Sequence, residues 1–428
     1  MINMCVLVRI MELIQGTHKA PQDFITNMPD IVINNILDRL RFQDAVRTSV
    51  LSRNWRFKWT MLTQLVFDVD FFDSLETEEE EDDDEEEDEE EEDDDDEDEG
   101  NNESIVSKLL LQLRGPITKF ELDIEHLSDA EDINNWILFL SRKGLTDLTI
   151  MNWDYSPLAL PTNLFSCLEL KHLQLRHCYF NNPPPSFHAF PNLLSLDLCV
   201  EFEDDIQLGE FFTRCPVLEK FTKDDLFEME KVNILEIAKQ ENLKVLSLKF
   251  YNLDDEATIT SSTTIFELLG SLPKLQELRL DFEEGRLIEG VGKKSFFTTF
   301  TCLKVLKLIN VCLDDGIMLS FAFELIRSSP NLQTFVITPS NGDADSPPQV
   351  DYYTTRLLQL QSVTFECMKG SENELRLIKY LLACSPSLKW MHIFSRFLKS
   401  AEEKLVFVRK LLKLYRASPV VEVELFWY

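Results

Sequence analysis

Leu170-Lys171-His172-Leu173-Gln174-Leu175-Arg176-His177-Cys178 is the stretch on which the fold turns. Apolar residues hold its first, fourth, sixth and ninth places, and polar residues fill the gaps. Working outward, the Leu-x-x-Leu-x-Leu spacing returns at Leu193/Leu196/Leu198, Leu243/Leu246/Leu248, Leu275/Leu278/Leu280 and Leu303/Leu306/Leu308. Looser copies stand at Ile117/Phe120/Leu122, Leu145/Leu148/Ile150, Leu332/Phe335/Ile337, Leu360/Val363/Phe365 and Leu388/Met391/Ile393. Leu218/Phe221 is a poor copy, and Val420/Val423/Leu425 is the last. Successive copies start 23 to 32 residues apart.

This is the signature of a leucine-rich repeat, with Cys178 where the turn begins. Alternation inside each copy suits a strand with one buried face. Pro-x-Leu recurs at Pro191/Leu193, Pro216/Leu218, Pro273/Leu275, Pro330/Leu332 and Pro386/Leu388. Runs with helical periodicity precede several of these prolines, at Thr264–Leu272, Phe321–Ser329 and Glu374–Ser385. Proline cannot continue a helix and biases the residue before it toward extended geometry. Each unit therefore reads as helix, proline stop and short strand, with successive strands parallel. One unit cannot bury its leucines alone; stacking does it. A conventional α/β domain with crossover helices explains the alternation of elements but not the fixed spacing. The expected fold class is α/β, a small helical module followed by an irregular leucine-rich-repeat solenoid, horseshoe-like in outline.

The small module precedes the repeats. Met28-Pro29-Asp30-Ile31-Val32 opens it, and Ile33, Ile36, Leu37 and Leu40 have helical spacing. Arg41-Phe42-Gln43-Asp44-Ala45-Val46 follows, with Asp44 placed to cap a second helix. Val46, Val50 and Leu51 continue the apolar spacing, and Trp55 and Trp59 share a face at i, i+4. Alone, these features make a helical cap on the solenoid. Their order and identity across residues 23–60 resemble the F-box of the large plant F-box family. That family's string runs close to Lys-Asp-Ala-Val-Arg-Thr-Ser-Val-Leu-Ser-(Lys/Arg)-x-Trp-Arg-x-x-Trp. Here Gln43 replaces the basic residue, and Met28 replaces the usual leucine of Leu-Pro. The resemblance implies docking onto a Skp-type adaptor, and through it a cullin and a RING subunit. It places the contacts at Met28, Pro29, Ile33, Ile36, Leu37, Leu40, Val46, Leu51, Trp55 and Trp59. Such docking rests on a few desolvated apolar anchors inside a polar rim.

The end of the chain carries a second resemblance. Met368-Lys369-Gly370-Ser371-Glu372-Asn373-Glu374-Leu375 leads into Ile378–Leu382, then Ser385-Pro386-Ser387-Leu388-Lys389-Trp390-Met391. A run at Glu402–Tyr415 ends before Ser418-Pro419 and a closing strand. This resembles the FBD domain of plant F-box/leucine-rich-repeat proteins, physically two more helix–proline–strand units that cap the array. The expected order is a disordered leader at 1–22 and the F-box at 23–60. Residues 61–115 hold a first strand (Leu65-Val66-Phe67), an acidic loop (78–99) and a linking helix (Ile105–Leu113). Repeats run from 116 to 365, and the FBD-like cap from 366 to 428.

Charge narrows the function classes. The net charge is −34, of which the uninterrupted run Glu78–Glu99 carries −22, leaving −34 + 22 = −12 elsewhere. That balance disfavours a nucleic-acid backbone. The run itself cannot fold alone, because like charges repel and nothing apolar is buried. It reads as a solvated insertion or as a lure for a basic partner such as a histone. The nine cysteines include no Cys-x-x-Cys pair and read as reduced, mostly buried thiols. Gly is scarce at 12, which argues against phosphate-cradling loops. There is no apolar stretch of membrane-spanning length, and no Walker, HExxH, GxSxG or dinucleotide motif. Asp68 and Asp70 read as solvated or cation-attracting carboxylates beside the acidic run. His172, His177, His188, Cys167 and Cys178 cluster only loosely, and no metal or cofactor is expected.

The chain therefore reads as no enzyme but the substrate-recognition subunit of an SCF-type E3 ubiquitin ligase, cytoplasmic or nuclear, with neither membrane nor nucleic acid as partner. The target would meet variable positions on and beyond the strands, with Arg176, His177, Tyr179, Lys249, Tyr251, Asp281 and Asn310 as candidates. A non-ligase F-box scaffold, or an acidic-tract binder of basic proteins, are the alternatives.

Overall fold

A computed structural model describes residues 28–79, 101–124, 130–153, 156–180, 184, 187–202, 209, 211–226, 236–250, 260–283, 287–288, 299–340 and 357–427. The leader, most of the acidic run and Tyr251 lie outside them. The described residues form two compact units that divide at the strand Ser195–Phe202.

The first unit opens with helices α1 (Asp30–Leu37) and α2 (Phe42–Arg47) and with 3-10 turns at Thr48–Val50 and Lys58–Met61. Strand β1 (Gln64–Phe67), helices α3 (Val69–Glu79) and α4 (Asn101–Gln112) and strand β2 (Lys119–Ile124) follow. Then come α5 (Ala130–Ser141), β3 (Asp147–Asn152), β4 (Leu158–Ala159) and β5 (His172–Phe180). Every pairing is parallel: β1 with β2, β2 with β3, β3 with β5, and the short β4 with β5.

Strand β6 (Ser195–Phe202) marks the division. The second unit holds β7 (Lys220–Leu226), β8 (Val245–Phe250), β9 (Thr260–Ser261), α6 (Ser262–Gly270) and β10 (Glu277–Asp281). It continues with β11 (Leu287–Ile288), β12 (Val305–Val311), α7 (Gly316–Ser328), β13 (Thr334–Pro339) and β14 (Ser362–Phe365). Helix α8 (Glu372–Cys384), β15 (Trp390–Ser395), α9 (Ala401–Leu412) and β16 (Glu422–Trp427) complete it. Its strands pair in parallel in the order β7-β8-β10-β12-β13-β14-β15-β16, and β9 pairs separately with β11.

Register follows the leucines. Leu246, Leu278, Leu306, Phe335, Val363, Met391 and Val423 stand side by side across the second unit, as do Leu248, Leu280, Leu308, Ile337, Phe365, Ile393 and Leu425. From Leu246 to Met391 and from Leu248 to Ile393 both rows are buried. Strand alternation sends them to one side, and each buried side chain contributes about 1.5–3 kcal/mol. The poor copy Leu218/Phe221 keeps the register but places Lys223 opposite Leu248, only 5% exposed.

A backbone staircase marks each repeat. The residue after the first leucine donates its N–H to the same position one repeat earlier. In the first unit Thr118 bonds Thr63, Thr146 bonds Thr118 and Lys171 bonds Thr146, at 2.7–2.9 Å. In the second, Lys244 bonds Glu219, Gln276 bonds Lys244, Lys304 bonds Gln276 and Gln333 bonds Lys304, at 2.7–2.8 Å. The staircase begins at Thr63, so Leu62/Leu65/Phe67 is itself a repeat triplet, buried at 3%, 0% and 0%. The repeats start one rung before the Ile117 at which the sequence spacing begins them. The long acidic insertion between the two rungs hides the period.

Asparagine immediately before the first leucine of a repeat adds a side-chain clip. Asn192, Asn242 and Asn331 donate to the carbonyls of Leu168, Pro216 and Thr301, at 3.4, 3.1 and 2.8 Å. Helices precede the prolines at α6, α7 and α8 as expected. In contrast, the described connection before β5 holds only a 3-10 turn, Thr162–Ser166. The chain leading from β1 is not all loop either: α3 runs from Val69 through Glu78 and Glu79, the first residues of the acidic run. The rest of that run lies outside the described residues.

Candidate functional site

The helical module at 28–62 spends its strongest apolar residues on itself. Helix α1 starts after Pro29, whose carbonyl accepts from Val32 and Ile33 at 2.9 and 3.1 Å. It turns Ile33 and Leu37 inward, at 0% and 1% exposure. Helix α2 begins at Phe42, three residues earlier than a cap at Asp44 requires. Asp44 instead lies in the first turn, where its charge suits the helix dipole, and meets Arg47 at 3.8 Å. Trp55 and Trp59 do not share a helix, because residues 53–57 are turns and a 3-10 segment starts at Lys58. Both rings are nevertheless buried.

A chain of rings ties this module to the first rungs. Phe42 packs on Trp59 at 6.0 Å, Phe67 at 5.6 Å and Phe71 at 5.9 Å. Phe67 reaches Phe71 at 4.9 Å and Phe120 on β2 at 5.9 Å. Polar clips reinforce it. Asp38 accepts from the Thr63 N–H and hydroxyl at 3.1 and 3.0 Å, Lys58 pairs with Asp30 at 2.7 Å, and Arg41 pairs with Asp70 at 2.8 Å. That pairing uses Asp70, while Asp68 accepts from the Phe71 N–H at 3.0 Å.

With this core filled, a second apolar set is left in the open. Ile31 is 73% exposed, Val50 85% and Phe57 60%. Val32, Leu51 and Met61 are also exposed large hydrophobics. Of the residues expected to meet an adaptor, Pro29 and Leu51 are exposed, and Met28, Ile36, Leu40 and Val46 are half-buried. Ile33, Leu37, Trp55 and Trp59 are buried in the chain's own core. Ile31 and Val32 were legible in one way: α1 is apolar on both sides, and a helix of that kind is covered on both sides.

The expected target-facing residues are scattered in role. Arg176 and Tyr179 are half-buried on β5, and His177 between them adopts a left-handed conformation at φ 49°. Asn310 and Cys367 repeat that conformation at φ 55° and 53°, two residues past the buried ladder residues Leu308 and Phe365. Lys249 pairs with Glu283 at 2.5 Å. Asp281 is buried, accepting from Asn310 at 2.8 Å and meeting Arg279 at 3.3 Å. Asp281 and Asn310 therefore brace neighbouring strands.

The thiols of Cys167, Cys178 and Cys215 are pushed up to about 12 by burial. Among the described residues no group of three His, Cys, Asp or Glu side chains is arranged to hold a metal ion, and no helix is long and apolar enough to cross a membrane.

A helical module with a filled core and a second apolar set in the open, feeding directly into a parallel leucine ladder, defines an F-box protein with leucine-rich repeats. The family model for the F-box domain matches residues 25–65, and the model for the leucine-rich repeats of FBD-associated F-box protein At5g56370 matches residues 133–261. The chain is 30% identical over 423 residues to the F-box/FBD/LRR-repeat protein At1g13570 of Arabidopsis thaliana, covering 93% of this chain and 97% of that one. It is 22% identical to the FBD-associated F-box protein At4g13985 of the same plant, over 94% and 95% of the two chains. Its 28% identity to F-box/LRR-repeat protein 13 covers 60% of this chain and 51% of that relative. The chain belongs to the F-box/FBD/LRR-repeat family.

Proposed function

We propose that this chain is the substrate-recognition subunit of an SCF-type ubiquitin ligase. Its F-box holds a Skp-type adaptor, and its repeats hold a target protein. The supporting observation is a second, exposed apolar set in the 28–61 module. Ile31, Val32, Val50, Leu51 and Phe57 stay exposed although the module's core is complete without them. Exposed side chains of this size are the anchors from which a partner's pocket gains affinity. The adaptor brings cullin and RING subunits, and the target's lysines react by proximity to a charged conjugating enzyme. This chain positions and contributes no reacting group.

The test is co-purification with a recombinant Skp-type adaptor. Ile31→Asp with Val50→Asp is expected to abolish it while leaving the melting temperature unchanged, because both side chains are solvated in the free chain. Leu37→Asp is a poorer probe, since a charge there unfolds the module from within. Retained adaptor binding by the double variant overturns the docking face. Adaptor binding without cullin co-precipitation favours the scaffold alternative.

A further inference from the structure

The outward face of the last two paired strands departs from every other outward face of the second unit. On β10 and β12 outward charges are matched in place, Lys307 with Glu277 at 2.6 Å and Arg279 with Asp281 at 3.3 Å. On β13 and β14 the same columns hold small side chains, Thr334, Val336, Ser362 and Thr364. On β15 they become aromatic, Trp390 and His392, and Phe394 continues the row to Phe426 on β16. Trp390 stacks on His392 at 6.3 Å and 27°, and Phe394 stacks on Phe426 at 4.5 Å and 13°. His392 joins the two pairs, 6.1 Å from Phe426. Trp390 is 43% exposed and Phe426 37%.

Carboxylates stand within this platform. Glu422 is the register partner of Trp390 and Glu424 of His392, so both project on the ring-bearing face. Both are exposed. Glu424 reaches His392 at 3.4 Å, a pair that is charged only when the imidazole is protonated. Two lysines of the region are turned to other rings: Lys369 lies over Phe397 and Lys404 over Trp427.

Ring faces and carboxylates together fit one kind of group. A guanidinium is planar, lies over an aromatic face and forks to a carboxylate; an ammonium does the first weakly and the second as a point charge. Phosphate is repelled by the same glutamates. A purely apolar ligand would bury them without partners.

We propose that the outer face of β15 and β16 is the seat of target recognition, and that it takes an extended, arginine-bearing segment of a basic protein. The guanidinium lies over Trp390 or Phe426 and forks to Glu424 or Glu422, while the flanking backbone crosses the small side chains of β13 and β14. This rests on the reading of the chain as a receptor subunit and names the chemistry of its target.

The test is fluorescence anisotropy with a labelled arginine/serine/glycine peptide and its lysine and citrulline counterparts. These are titrated with the full chain in physiological salt and again in about 1 M salt, where the Debye length is about 3 Å and attraction to the acidic run is screened. The expected order is arginine over lysine over citrulline at both salts. Trp390→Ala and Phe426→Ala should each weaken the arginine peptide by roughly 2- to 30-fold, the span of a cation–π contact. Glu424→Gln weakens it with the rings intact, and Trp390→Tyr retains most of it. Equal binding of arginine and citrulline peptides overturns the proposal. So does binding indifferent to both Trp390→Ala and Phe426→Ala, which assigns it to the acidic run. Wild-type dimerisation lost in Trp390→Ala replaces the peptide with a second copy of the chain. Adaptor co-purification on the same variants separates the two readings. A wild type that takes the adaptor but shows no preference for the arginine peptide removes only the arginine site, whereas a wild type that takes no adaptor removes the receptor role.

Discussion

Phe67→Ala asks whether the F-box folds as a separate bead or as the first layer of the repeats. Phe67 is fully buried on β1 and touches Phe42 of the helical module, Phe71 of α3 and Phe120 of β2. Truncating a buried phenylalanine removes its transfer energy and leaves a cavity, together about 3–5 kcal/mol. The ring pairs lost with it contribute about 0.5–1.5 kcal/mol each. With a urea slope of about 1–3 kcal/mol/M, the midpoint should fall by about 1 M or more. The informative measurement is a double-mutant cycle of Phe67→Ala with Phe42→Ala, read by urea unfolding with fluorescence of Trp55 and Trp59 after the other four tryptophans are replaced by phenylalanine. A coupling energy of about 0.5–1.5 kcal/mol is expected, because the two rings meet at 5.6 Å across the junction. Additive effects, or a module signal that melts independently of the ladder, would refute the reasoning. Adaptor binding should then weaken in Phe67→Ala although no docking residue has changed.

Two further outcomes concern the C-terminal units. Glu374 at the start of α8 accepts backbone N–H bonds from Lys369, Gly370 and Ser371 at 3.2, 2.6 and 2.7 Å, yet burial raises its pKa above the ordinary glutamate range. A raised folded-state pKa means the native state holds the proton more tightly than the unfolded chain. The associated stability is present below the unfolded value and is lost as pH rises through the folded one. The difference in melting temperature between wild type and Glu374→Gln should therefore change across the weakly acidic range; a difference constant with pH contradicts the burial. Gly370→Ala should destabilise more than Gly144→Ala by thermal melting. Both glycines have positive φ, 82° and 86°, but a Cβ at 370 meets Leu398 and Phe407 at 3.3 Å while one at 144 meets nothing within 4 Å. Equal losses would show that backbone conformation alone sets the cost.

The ladder was legible because its signal is local and repeated. Leu-x-x-Leu-x-Leu turns three side chains to one side of a strand, and Pro-x-Leu announces where each strand begins. The rung at Leu62/Leu65/Phe67 escaped because the insertion broke the period, not the pattern. The F-box string identified its family, but the placement of its residues followed a competition that string order does not express. Ile33, Leu37, Trp55 and Trp59 have the volume to fill a core and are drawn into it. Ile31, Val50 and Phe57 remain outside as the surplus. The aromatic face of β15 and β16 left a faint trace. Trp390-Met391-His392-Ile393-Phe394 is apolar or aromatic at places where a half-solvated strand should alternate with polar residues.

What the sequence determined by itself is the repeat and the family, since spacing and residue identity are properties of the chain before it folds. Tertiary structure alone decided which oily side chains of the module are spent inward and which remain outside, and that Asp281 and Asn310 grip each other. It also gathered Trp390, His392, Phe394 and Phe426 onto one surface. The reason is that burial is a contest among all side chains for a limited interior, and its outcome depends on neighbours dozens of residues away.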